Sequence, residues 1–144
     1  MGMIHDQEFD DFLVACVSIN EHAITDEYIR VSSDLAYWSR AHADAEQAYL
    51  LAKARQKEAE ATAYLQAREL LEGDPSIKRA TEAIVQATAD RMPAVTRARE
   101  AVAMAAGDRR EAEGVISAIS AKRDMLISLG ATLRKEMDPE PSLR

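Results

Sequence analysis

The sequence predicts an all-α protein: a long helical hairpin, two long helices plus short ones, assembling into a homo-oligomeric helical bundle or ring. Three observations predict it. Apolar residues recur at 3-4 spacing across residues 28–70 and again across 95–133, and no stretch alternates with period two. A Gly-Asp-Pro break at 73–75 separates those stretches. The composition is 47% apolar but only 5% aromatic, rich in alanine, with five glycines. Alanine favours helix and buries little surface. Long alanine-rich helices gain stability by close contact with other helices, often in other copies of the same chain.

The first element is short. In "EFDDFLVACVSI" (8–19), Phe9, Phe12, Leu13, Cys16 and Val17 share a stripe, and acids occupy the other face. "NEHAITDE" breaks this helix, with Thr25 or Asp26 as an N-cap for the next. The first long helix then runs from Tyr28 to Glu72 without glycine or proline. Its seam reads Tyr28, Val31, Leu35, Trp38, His42, Ala45, Tyr49, Ala52, Gln56, Ala59, Ala63, Gln66, Leu70. The seam starts large and becomes small. Such a helix is about 68 Å long at 1.5 Å per residue, and needs packing partners throughout.

"EGDPSIKRA" (72–80) forms the turn, with Gly73 just past the helix end and a basic tip at Lys78 and Arg79. A short helix follows over about 81–88. Pro93 is tolerated only in a first turn, so a new helix starts near Asp90 and continues to Met137, where "DPEP" stops it. Its seam is Val95, Ala98, Val102, Ala105, Arg109, Ala112, Ile116, Ile119, Arg123, Leu126, Gly130 and Leu133. The organisation is therefore an acidic N-terminal helix over 1–24, a hairpin domain over 25–137 and a tail over 138–144.

Charge is unevenly spread. The net is −7, yet residues 1–29 hold seven acids and no Lys or Arg, while the other 115 residues hold 18 acids and 18 bases. An acidic total therefore does not exclude a polyanion partner. One cysteine gives no internal disulfide. No leader pattern and no apolar run of membrane-spanning length appear, which points to the cytoplasm and to no membrane partner.

Enzyme signatures are missing. His5, His22 and His42 lie far apart, without metal-ligand spacing. There is no glycine-rich phosphate loop. Cys16 and His42 lie on apolar stripes and read as packing residues. Neither catalytic residues nor metal nor cofactor is expected. Trp38 reads as core, and Tyr37 as a side chain free to stack on a base. The cations carry the stronger signal. Lys53, Arg55 and Lys57 cluster within five residues, with Arg68 further along. They are either a solvated face with i,i+4 ion pairs or, repeated around a ring of copies, a basic track for phosphates. Arg109 and Arg123 interrupt an apolar seam, either pairing with acids across an interface or setting register.

At "LAYWSRAH" (35–42), "LQARELLEG" (65–73) and "ISAKRDMLISLGATLRKEM" (119–137) the chain resembles phage recombination mediators of the UvsY type. The layout agrees across most of 28–137. A long helix carries an aromatic pair near its start and a basic tract in its second half, then a turn leads to a long return helix. The resemblance implies a ring-like homo-oligomer that uses no nucleotide. It would bind single-stranded DNA and load a RecA-like recombinase onto DNA coated with single-strand binding protein. A Lys-Ala-Arg element of that family is tied to DNA binding; here Arg68 carries over and Gln66 stands in the lysine's place. The DNA-binding set expected is Lys53, Arg55, Lys57, Arg68, Lys78, Arg79, Lys122 and Arg123. The expected oligomer interface is Trp38, Ile116, Ile119, Leu126, Leu129, Gly130 and Leu133, with Gly130 admitting a neighbour's backbone. The acidic N-terminal helix would dock a protein partner or shield the basic track. Two other readings share the packing: a coiled-coil adaptor or scaffold for phage assembly, and an inhibitor whose acids mimic nucleic acid.

Overall fold

The computed structural model describes residues 7–137 and, within them, only helices and their connections. Helix α1 spans Gln7–Val17. A 3-10 turn, Glu21–Ala23, leads into α2, Ile24–Glu72, of 49 residues. Helix α3 is Glu82–Asp90, and α4 is Pro93–Met137, of 45 residues. The expected tail, 138–144, lies outside the described residues.

Helix boundaries follow local chemistry. The second helix begins before the expected cap at Thr25 or Asp26, because the 3-10 turn runs directly into it. Asn20 starts that turn: its Oδ1 accepts the His22 amide at 3.0 Å. After α2, Asp74 Oδ1 accepts both the Ser76 amide (2.9 Å) and the Ser76 hydroxyl (2.6 Å), while the Asp74 carbonyl accepts the Ile77 amide. These bonds hold the Asp74 carboxyl below its ordinary pKa. Pro93 takes the first position of α4, where its missing N–H costs nothing.

The helices divide into two compact units, each with its own core. The first contains α1, α2 up to His42, and α4 from Arg110. Its core is Val31, Trp38, Ala112, Val115, Ile119 and Leu126, with Leu13 of α1 and Tyr28 packed against it. The second is Ala43–Arg109, and its core is Ala63, Ala67, Val85, Ala89 and Val95. That core is mostly alanine, so α2, α3 and α4 approach closely there. Polar ties reinforce them: the Tyr64 hydroxyl donates to Glu82 at 2.8 Å, and Arg99 donates to Glu60 (3.1 Å) and Asp90 (2.7 Å).

Two features of the seams depart from the 3-4 reading. On α2 the buried and half-buried positions follow the seam to Ala63, then fall at Ala67 (buried) and Leu71 (half-buried) instead of Gln66 and Leu70. A 3.5-residue repeat drifts by about 20° per heptad on a straight helix, which accumulates over five heptads to about one residue. On α4, Val115 and Lys122 are buried where Ile116 and Arg123 were expected deepest. Helix α1 also packs in this unit, so α4 buries a wider stripe than a two-helix hairpin requires.

These positions correct the expected oligomer interface. Trp38, Ile119 and Leu126 are buried within the chain's own core and are not surface for a second copy. Ile116 and Leu129 are half-buried, and Leu133 is exposed. A Cβ at Gly130 would meet the Tyr28 hydroxyl of the same chain at 3.5 Å, an ordinary contact. Gly130 therefore faces its own α2.

Candidate nucleic-acid interface

The cations separate into paired and unpaired groups. On the exposed face of α2, Lys53, Arg55 and Lys57 stand in one run. Among the described residues no acid forms an ion pair with any of the three; Lys53 lies over the Tyr49 ring at 5.5 Å. Lys53 and Lys57 are four residues apart on a helix and repel each other. A solvated face built for stability would place a carboxylate there. Lys78 and Arg79, in the turn after α2, are exposed and likewise lack an ion-pair partner among the described residues.

Arg68 differs. Its Nε donates to Glu72 Oε1 at 2.8 Å, an exposed i,i+4 pair that raises the Arg68 pKa. The position that resembles the family's Lys-Ala-Arg element is therefore partly neutralised. Arg123 is exposed and bonded to the neighbouring Asp124.

Lys122 is the clear correction. Expected to face DNA or a neighbour's acids, it is 2% exposed, and its Nζ lies 2.6 Å from Glu27 Oε2. Glu27 is also buried. The Lys122 ammonium beside it pulls the Glu27 pKa below the ordinary carboxylate range, against the opposing effect of burial. Arg109 is likewise paired within its own unit, although its buried Nε has no hydrogen-bond partner among the described residues. It donates to Glu46 at 3.1 Å and lies over the Tyr49 ring at 4.6 Å.

Sequence reasoning missed the return helix's part in the basic surface. Arg97 of α4 faces the same groove as Arg55. That groove, about 440 Å³, has a floor that includes Ala48, Leu51, Ala52 and Ala101. The signal was present in "TRAREA" (96–101): Arg97 and Ala101 fall at i and i+4 on one helical face. Tyr37 is two-thirds exposed and packs edge-on against Trp38, with ring centroids 5.6 Å apart. Cys16 is buried, and burial together with the Asp34 carboxylate pushes its thiol pKa up, the opposite of what a nucleophile needs.

With this geometry in view, no family model, no curated protein and no solved structure matches the chain. The site is therefore read from its own chemistry. Residues Ala43–Arg109 hold 11 acids and 10 bases, whereas the segments forming the other unit hold 14 acids and 8 bases. The unit with the unpaired cations is near neutral, and several of its acids are already engaged by its own arginines. Its cation cluster can attract phosphates without reading bases.

Proposed function

We propose that the chain is a non-catalytic, self-associating recombination mediator. It binds single-stranded DNA through phosphates and helps load a RecA-like recombinase onto DNA coated with single-strand binding protein. The observation that supports this reading is the run Lys53, Arg55 and Lys57: exposed and without ion pairs among the described residues, with Lys53 and Lys57 repelling each other at i,i+4. Self-association repeats this short cluster, and repeated clusters make a track for a polyanion. Lys78 and Arg79 extend the same unit's positive surface. The resemblance at 35–42, 65–73 and 119–137 supplies the recombinase and the single-strand binding protein as partners.

The test is a fluorescence-anisotropy titration of a single-stranded oligonucleotide at two salt concentrations, on protein whose mass is fixed by light scattering. Binding in the micromolar range or tighter by an assembled species, weakening steeply with salt, is the expected result. An assembled chain that does not bind at low salt would sink the DNA reading. An adaptor or scaffold role then takes its place, favoured by one observation in the first unit. There α1 and α4 enclose an apolar groove of about 500 Å³ edged by Asp10 and Glu111, which suits a partner helix.

A further inference from the structure

We infer that the face of the second unit bearing Arg55 and Arg97 is a two-fold interface. Two copies of the chain stack this face, α2 antiparallel to α2 and α4 antiparallel to α4, as a four-helix bundle. The inference rests on the self-association in the reading above and not on DNA binding. It starts from a bare stretch of hairpin. In the second unit no side chain of 43–62 or of 96–109 is fully buried. The buried core of that unit lies further along, where α3 adds a third helix. Over the bare stretch, α2 and α4 border a groove of about 440 Å³ whose lining includes Ala52, Ala59 and Ala98. Leu51 and Met104 beside it are 50% and 56% exposed. An alanine-rich layer of only two helices gains stability from a second layer packed on it.

The stripes along this face fix which layer fits. On α2, Asp44, Ala48, Leu51 and Arg55 fall at i, i+4, i+7 and i+11, one helical face. On α4, Arg97, Ala101, Met104 and Asp108 fall at the same spacings with the charges in reverse order. Arg55 and Arg97 line the same groove. The helices run antiparallel, as the pairs Arg99–Glu60 and Arg109–Glu46 show. Both arginines therefore stand toward one end of the face and both aspartates toward the other. In each stripe eleven residues, about 16 Å of helix, separate acid from arginine. Among the described residues none of these four charges forms an ion pair, and Glu58, three positions past Arg55, does not pair with it. Arg97 Nε donates only to the Pro93 carbonyl, at 3.3 Å, which leaves its charge without a counter-charge.

A two-fold axis running across the helices lays each stripe on its own reverse. On α2, Asp44 meets Arg55 of the second copy, and Leu51 covers Ala48 of the second copy. On α4, Arg97 meets Asp108 of the second copy, and Met104 covers Ala101 of the second copy. Each contact occurs twice, so the pair gains four ion pairs and sets large side chains on small ones. A two-fold axis along the helices would instead set arginine on arginine and aspartate on aspartate. Exposed ion pairs add little affinity, so the apolar contacts drive pairing and the charges select its direction. Lys53 and Lys57 lie two positions either side of Arg55, off this face, and stay available for phosphate.

The experiment uses two full-length variants. An acidic one carries Arg55→Asp and Arg97→Asp; a basic one carries Asp44→Arg and Asp108→Arg. Circular dichroism checks that helix content is retained. The native chain is expected to scatter light as an even number of 15.9 kDa copies. Each variant alone sets like charges against each other at all four contacts and should lose pairing. Mixed in equal amounts, the two recover four opposite-charge contacts and should restore the native mass, which misfolded variants could not do. Leu51→Glu, at an exposed position, should lose pairing with every charged partner intact. A native chain that is monomeric or holds an odd number of copies would overturn the inference. So would variants that keep the native mass, or a mixture that fails to regain it. An assembled native chain that does not bind single-stranded DNA would overturn the mediator reading instead and leave this one standing.

Discussion

Lys122 decides more about the first unit than any apolar side chain. Its side chain is 1% exposed, and its ammonium lies 2.6 Å from the carboxylate of Glu27, whose side chain is 10% exposed. Removing one member of such a pair strands a buried charge, which costs about 3–5 kcal/mol. Lys122→Met or Glu27→Gln alone should therefore lower stability by that order in urea unfolding. Lys122→Met with Glu27→Leu should recover most of the loss, because two apolar groups leave nothing unpaired. The pair also has a pH signature. The folded Glu27 pKa is lowered, by the adjacent Lys122 ammonium first. Its contribution is complete above the ordinary carboxyl value near about 4.3 and is lost as pH falls through the lower folded value. The native chain should lose more stability than the double variant between about pH 5 and about pH 3. Equal losses would show that Glu27 does not carry the effect.

At the scale of helices, the existence and order of the elements were legible because periodicity and punctuation agree. The stripe of α1, the Gly-Asp-Pro break and Pro93 each act within a few residues, and each falls beside the boundary it predicts. What was illegible depends on distance. The seam of α2 slips by one position only after five heptads. The buried role of Lys122 depends on Glu27, 95 positions away, and on α1 widening the stripe that α4 buries. A basic pair on a helix reads as surface unless that remote acid is known. Likewise, the exposed cluster 53–57 was visible in the sequence, but the contrast between its unpaired cations and Arg68, held by Glu72, needed side-chain geometry. Helix interiors also carry a direct test. A Cβ at Gly114 would meet nothing within 4 Å, and the position is exposed. Gly114→Ala should therefore stabilise the chain by about 0.5–1 kcal/mol, from helix propensity alone. Gly73→Ala should give no such gain, since its Cβ would lie 3.3 Å from the Glu69 carbonyl oxygen. Denaturant midpoints of the two variants separate these outcomes.

For the whole molecule, the charge distribution matters more than the net of −7. A uniformly acidic protein would repel DNA. Here the segments of the first unit carry a net −6, and Ala43–Arg109 carries −1. Within that near-neutral unit, Arg99 and Arg109 are bonded to Glu60, Asp90 and Glu46. Pairing therefore sets aside some cations and leaves others available, and substitutions can distinguish the two kinds. Each cation that neutralises a phosphate of single-stranded DNA contributes about −0.7 to the slope of log K against log salt. Lys53→Ala with Lys57→Ala should thus make the slope shallower by about 1.4 per chain engaged. Arg68→Ala, which frees Glu72 while removing a paired cation, should change the slope little. If Arg68→Ala flattens the slope as much as the lysine pair does, pairing does not decide which cations meet the backbone, and the track would have to be drawn along the whole second half of α2.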